Sequence, residues 1–434
     1  MQCEAENNHV LVVVRAQMMH PEPTMKRAGG PTNAVDRLSA LPDELLHVIL
    51  SFLPAPLVVQ TSLLSRRWRR LWRSTPLIKI HEQEFVISSK IRTNTLEERW
   101  AKFEDFATNL LLFHDNTSAL GEFRLCCRVH NWRHVDRWIR RGIEYCPSVL
   151  QIRLVGYVLG FKLPPMVESN FCCLKRLHLE HIILNSHFTG SLCSACPVLE
   201  DMNLDCCEFC DNCPQGIISP KLNKLVMDLC LNNTLYPLVI TAPSLTYLYI
   251  SFQYFRVGIL LCKMDSLVKA EISVSETEIS EETQRNLLGS LCNVTSLELT
   301  GFEAEVMLND NSKEFPVFHN LQTLVLRSCF LNEYELTDKL EALGSFLQNA
   351  PCLEKFSLQY CMFYSFSDSD WEIERKNITL PRHDGKILHC QKLKLIEVIY
   401  DHDHDHQLIE LVWSLGRRLP DANIKLNKID RFHP

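Results

Sequence analysis

Glycine is scarce, with 14 residues in a chain of 434. A phosphate-cradling loop needs clustered glycines so that backbone N–H groups can close on the phosphates, and no such cluster occurs. A nucleophile elbow, a kinase signature set and a metalloprotease helix are also missing. No catalytic constellation or cofactor motif is legible, and the chain reads as non-enzymatic. Positive charge is not in excess: 45 Lys and Arg stand against 52 Asp and Glu, a net charge of −7. That balance argues against a protein built to coat nucleic acid or an anionic membrane. No apolar run approaches the ~20 residues that span a bilayer. Val10 to Val14 is too short for a secretory segment, and Glu4 and Glu6 precede it in place of positive charge. These absences place the expected site of action in the nucleus and/or cytoplasm. There the 19 cysteines, an odd number, are not a disulfide framework. Free cysteine behaves as a small buried hydrophobe.

What is present begins at Asp36 and runs to Pro76. Pro42 suits the first turn of a helix, where its missing N–H costs nothing. Asp43 and Glu44 follow, favourable at the positive end of a helix dipole. Leu45, Leu46, Ile49, Leu50 and Leu53 then recur at helical spacing. Pro54 and Pro56 break the pattern. Val59, Leu63, Leu64, Trp68, Leu71 and Trp72 resume it. A core of some forty residues is marginal alone, so this stretch is expected to bury one face on something else. The pairs Leu41–Pro42, Glu44–Leu45 and Leu53–Pro54, and the run Leu64-Ser65-Arg66-Arg67-Trp68 leading to Leu71–Trp72, resemble the plant F-box. The resemblance implies a three-helix unit that docks on a Skp-type adaptor and through it on a cullin. The implied adaptor contacts are Leu41, Pro42, Leu45, Ile49, Leu63 and Trp68. One departure stands at Pro56–Leu57, where the pattern carries a polar or basic and then an acidic residue. The second helix is therefore expected to start without a good cap. Arg66, Arg67, Arg69, Arg70 and Arg73 read either as a nucleic-acid or import signal or as the solvated face of the last helix. The interleaved Trp68, Leu71 and Trp72 favour the second.

A second pattern fills the rest of the chain. Leu96 to Phe113 and the surroundings of Val135, Trp138 and Ile139 read as helices. Then a triplet, apolar–x–x–apolar–x–apolar, recurs from Val149, Leu174, Leu199, Leu222 and Leu245, at intervals of 25, 25, 23 and 23 residues. It continues from Leu267, Val294, Leu321, Leu353 and Leu393. That spacing is the period of leucine-rich repeats. Several units open on a shared phrase, as in Cys196-Pro197-Val198-Leu199-Glu200 and Ala350-Pro351-Cys352-Leu353-Glu354. The chain thus resembles the plant F-box/leucine-rich-repeat family over most of its length. The expected fold class is mixed α/β: a three-helix F-box, then a curved repeat solenoid with a parallel sheet on its concave face. The expected organisation is a disordered leader over 1–35, the F-box over 36–82, the solenoid with helical inserts over 83–400, and a helix–strand cap over 401–434.

Stacked repeats bury the triplet and turn the residue between its last two positions to solvent. That column includes His178, Asn203, Tyr249, Glu271 and Glu298, the expected contacts for an unknown target protein. An ordinary solvated sheet face gives the same pattern. The resemblance then implies a substrate-recognition subunit of a Skp–cullin–F-box ubiquitin ligase. A non-degradative interaction scaffold is the alternative, prompted by Pro56–Leu57. A further alternative is a metal or redox protein using Cys206, Cys207, Cys210 and Cys213, whose spacing suits thiolate ligands. Cysteines at the end of a repeat strand are also common core residues, and no metal is expected there. The tract Asp401 to His406 alternates Asp and His, a weak divalent-ion pattern or a solvated loop.

Overall fold

The computed structural model describes residues 38, 40–84, 95–115, 120–156, 161–166, 168–211, 213–255, 257–274, 280–303, 306, 315–329, 336–361, 390–400 and 413–428. The expected leader and the Asp/His tract lie outside these. The chain divides into two compact units, Met1–Leu199 and Glu200–Pro434.

In the first unit, Pro42 precedes α1 (Asp43–Ser51) with φ −55°, and Asp43 and Glu44 occupy its first turn. Pro54 precedes α2 (Ala55–Gln60), which has no side-chain cap, as Pro56–Leu57 led one to expect. A 3-10 turn, Thr61–Leu63, leads to α3 (Trp68–Leu71). Strand β1 (Leu77–His81) follows directly, its Ile78 and Ile80 buried. It lies within 36–82, the stretch read as helical, yet it opens the parallel sheet. The alternation Leu-Ile-Lys-Ile-His was the available signal.

Helix α4 (Leu96–Phe113) starts at a side-chain cap: the Thr95 hydroxyl accepts from the Glu98 N–H at 3.3 Å. Asn131 caps α5 (Trp132–Glu144) in the same way. The two helices are joined by Trp138, whose Nε1–H donates to Thr108 Oγ1 at 3.0 Å and whose ring meets Phe103 edge-on. Strands β2 (Glu122–Arg128), β3 (Val149–Val155) and β4 (Arg176–Glu180) run parallel to β1 in unbroken register. A short α6 (Glu168–Phe171) precedes β4. The short β5 (Ile183–Leu184) and α7 (Ser186–Ala195) follow it.

The second unit is the same device repeated. Its parallel ladder runs β6 (Asp201–Asp205), β9 (Lys224–Asn232), β11 (Tyr247–Phe255), β13 (Lys269–Val274), β14 (Ser296–Thr300), β15 (Thr323–Arg327), β16 (Lys355–Gln359), β17 (Leu395–Tyr400) and β18 (Asn423–Lys428). Every triplet residue from Leu222 to Val398 is buried. Each strand is too narrow to bury its apolar side alone, so the stack makes the core.

The return segments differ from expectation in one place. Between β6 and β13 they are strands: β7 (Glu208–Phe209), β8 (Gly216–Ile218), β10 (Leu238–Thr241) and β12 (Ile259–Cys262). The last three form a second parallel sheet. These are the shortest repeats, and an extended return covers the distance with fewer residues than a helix. Longer repeats return through α8 (Glu281–Ser290) and α9 (Leu336–Gln348).

Several strands end on a residue in the left-handed region: His181, Cys206, Ser328 and Tyr360, with Gly156 and Gly301 at matching places. One residue further on, Cys207, Cys329 and Cys361 are buried. Their thiols donate to strand-end carbonyls, as Cys361 does to Leu326 O at 2.9 Å. These positions absorb part of the cysteine content as core that also satisfies backbone acceptors.

Candidate functional site

Helix α1 is apolar on two sides. Leu46 and Leu50 point inward and form a core with Trp68 and Leu71, against which Leu41, Leu53 and Val58 pack. Leu45, Val48, Ile49 and Phe52 point outward. Their positions follow the i, i+3, i+4, i+7 rule, so they form one stripe. Phe52 is 81% exposed and Val48 53%. Leu63 and Leu64, in the turn after α2, are each 63% exposed, and Leu38 and Leu57 are exposed as well. Burying one such side chain is worth about 1.5–3 kcal/mol. A monomer rarely leaves a stripe of this kind open unless it is a contact surface.

The surface is held by polar ties at its edges. Arg67 Nε donates to Asp43 Oδ1 at 3.0 Å, fixing the start of α1 to the chain before α3. Arg73 Nε donates to Phe113 O at 2.8 Å and pairs with Asp115. Two of the five arginines of the basic run therefore serve internal structure. Arg66, Arg69 and Arg70 are exposed, with no ion pair among the described residues. Beneath α1 lies a cavity of about 30 Å³, lined by Leu50, Leu53, Trp72, Ile78, Leu110 and His114 among others.

Of the six residues expected at an adaptor, Leu45, Ile49, Leu63 and Pro42 are exposed, and Leu41 is half-buried on the inner core. Trp68 requires correction. It is 2% exposed at the centre of that core, and so supports the surface from behind. Val48 and Phe52 share the exposed stripe and were not among the six residues expected there. Their signal was the second stripe, offset by one residue from the Leu46–Leu50 stripe.

The solvent face of the strands carries the other expected residues. In the second unit Asn203, Val226, Tyr249, Glu271, Glu298, Val325, Ser357, Glu397 and Lys425 are successive register partners, one row across nine strands. In the first unit His178 continues the row Lys79, Arg124, Gln151. The expected residues are half-buried and several are engaged. Glu298 pairs with Arg327 at 2.8 Å, and Glu271 with Lys269 at 2.7 Å. The Lys355 ammonium beside Glu397 holds its carboxyl below the ordinary range. Tyr249 donates to Asp228 Oδ1 at 3.3 Å. Tyr247, one row over, was not foreseen. Its ring sits between the ammonium groups of Lys224 and Lys269, at 5.6 and 5.7 Å, and its hydroxyl donates to Glu271. Burial first, and then the Glu271 carboxylate, push that hydroxyl up to about 12. Tyrosine is among the residue types enriched at protein-binding hot spots.

Among the described residues, no three of the four clustered cysteines bring their sulfurs to one point. Cys207 is buried and donates to Asp205 O, Cys210 donates to Asp211 Oδ1, and Cys213 is exposed.

Residues 38–80 match the F-box domain. The chain is 32% identical over 424 residues to the meiotic F-box protein MOF of Oryza sativa subsp. japonica, covering 91% of this chain and 86% of that protein. The chain belongs to the plant F-box/leucine-rich-repeat family. Family members from Arabidopsis thaliana include a putative F-box/LRR-repeat protein, 25% identical over 76% of this chain and 73% of that one. Another is a putative F-box/FBD/LRR-repeat protein, 27% identical over 75% and 79%. In family terms, α1 to α3 are the F-box helices and the parallel ladder is the repeat array.

Proposed function

We propose that this protein is the substrate-recognition subunit of a Skp–cullin–F-box ubiquitin ligase. The exposed stripe of α1, with Leu63 and Leu64, docks on the Skp-type adaptor, and the solvent face of the strands holds a target protein. The observation that carries the reading is the open apolar stripe of α1 opposite an inner core that is already complete. The protein supplies no reacting group in this scheme. It raises the effective concentration of target lysines near a ubiquitin-loaded enzyme. Acting in that complex, it would work in the nucleus and/or cytoplasm.

The test is co-purification with a Skp-type adaptor. Truncating a well-buried anchor costs about 2 kcal/mol, or about 30-fold in affinity. Val48→Ala/Phe52→Ala is expected to lose the adaptor while melting like the wild type. Equal recovery of adaptor by both chains would overturn the assignment. The uncapped start of α2 at Pro56–Leu57 favours a second reading, a scaffold that binds the adaptor without target turnover. Adaptor binding with no ubiquitin transfer to any captured protein would select it.

A further inference from the structure

On the solvent face of the second unit's strands, acids and bases stand at different heights. Glu271 pairs with Lys269, Glu298 with Arg327, and Glu397 with Lys355 and, at 3.8 Å, with Lys425. The three glutamate side chains are 17–22% exposed and the four cations 45–62%. The carboxylates therefore form the floor of the face, and the longer basic side chains rise over them. Each sunken carboxylate takes some of the N–H groups above it. Arginine has five donors and lysine three, so the outer ones remain for a ligand. The first unit, taken by itself, repeats the arrangement. Glu122 and Glu180 are 12% and 10% exposed, beneath Arg124 and Arg153, each at 48%. In the second unit, the remaining acids of the face, Asp201, Asp205 and Asp228, lie on β6 and β9. From β11 to β18 the face carries four cations over three glutamates.

We propose that the stretch from β11 to β18 binds an acidic segment of the target protein, one rich in Asp and Glu. The inference rests on the reading of the strand face as the target site, and it supplies the chemistry of that target. An incoming chain meets the raised cations before the glutamates. A carboxylate on it can take two N–H groups of Arg327 side by side, while Glu298 holds the guanidinium from behind. Lys269 and Lys355 meet the segment as point charges. Their glutamate partners hold these side chains in place beforehand, so less freedom is lost on binding. Tyr247, in contact with Lys269, offers an aromatic surface at one end of the stretch. A basic segment is disfavoured, because its ammonium groups must displace the resident cations to reach the floor. A long polyanion such as nucleic acid is disfavoured by the net charge of −7 on the chain.

The experiment titrates the full chain against a fluorescent oligoglutamate peptide and follows anisotropy, with oligolysine and single-stranded oligothymidylate as comparison probes. Saturable binding of oligoglutamate, weakening as salt rises, is expected in the wild type. Lys269→Glu/Arg327→Glu/Lys355→Glu should weaken it about tenfold or more, because like charges then meet. Glu271→Gln/Glu298→Gln/Glu397→Gln removes the negative floor and should lower the Kd, which keeps the test open if the first variant fails to fold. Arg66→Glu/Arg69→Glu/Arg70→Glu, on the F-box, should leave binding unchanged. Loss of binding in this last variant, unchanged affinity in the first two, or equal affinity for oligolysine or oligothymidylate overturns the acidic-segment assignment. Co-purification with the adaptor is measured on the same samples. A wild type that keeps the adaptor and ignores oligoglutamate refutes this inference alone. One that binds oligoglutamate and not the adaptor refutes the ligase reading alone.

Discussion

Gly301 and Ser328 sit at matching points, each one residue past a strand and each left-handed, at φ +76° and +46°. They are not interchangeable. A Cβ built on Gly301 lies 2.0 Å from Val274 O, a backbone atom that cannot step aside. Gly301→Ala is expected to destabilise by about 2–3 kcal/mol or more, read as a lower urea midpoint. Ser328→Gly relieves a strained conformation and should cost nothing or stabilise by up to about 1 kcal/mol. His114 supplies a pH dependence. It is buried, donates from Nε2 to Thr75 O at 2.9 Å, and burial lowers its pKa below 6.5. The unfolded chain therefore takes up that proton first as pH falls. The stability of the first unit is full above about pH 6.5 and is lost as pH falls toward the folded pKa. Urea midpoints at neutral and mildly acidic pH should differ, and His114→Phe should shrink the difference.

Helix α1 shows what a short element can conceal. Its leucines at 46 and 50 and its apolar residues at 45, 48, 49 and 52 make two overlapping stripes of equal quality. Period alone does not say which one is inside. The partner residues decide it: Trp68 and Leu71 claim Leu46 and Leu50. Two substitutions should therefore part company. Trp68→Ala opens a cavity in the inner core and is expected to cost about 3–5 kcal/mol. Phe52→Ala should change stability by less than about 0.5 kcal/mol while weakening adaptor capture. Thermal melts and pull-downs on the same pair of variants give both answers. The repeat strands were more legible, because alternation over many units fixes the buried face and the outward column together. The extended returns β8, β10 and β12 were not, since runs of three or four apolar residues suit a helix or a strand equally. Tyr247 and its lysines were passed over because the outward row two residues before the middle one was not considered.

At the scale of the whole molecule, the strand face neutralises part of its charge locally. Lys269, Arg327 and Lys355 each pair with a glutamate on that face. Exposed pairs of this kind add little to stability, typically under about 1 kcal/mol. Their use is selectivity, since a bound segment must match the pattern or leave charges unmet. Glu298→Gln, which frees Arg327, is expected to leave the melting curve within experimental error. It should still shift which captured targets survive a salt wash, as measured by quantitative mass spectrometry of the bound fraction. Unchanged capture would remove this stretch of the face from target recognition.

The unbroken pairing of Val325 with Glu298 on one side and Ser357 on the other sets a rule for how such a chain can diverge. One residue inserted within Leu324–Leu326 would turn every later side chain of that strand over, exposing leucine and trapping charge. The same insertion between strands would only lengthen a loop. New target preferences can accordingly arise by rewriting outward letters or by growing the connections, while the spelling length of each strand stays frozen.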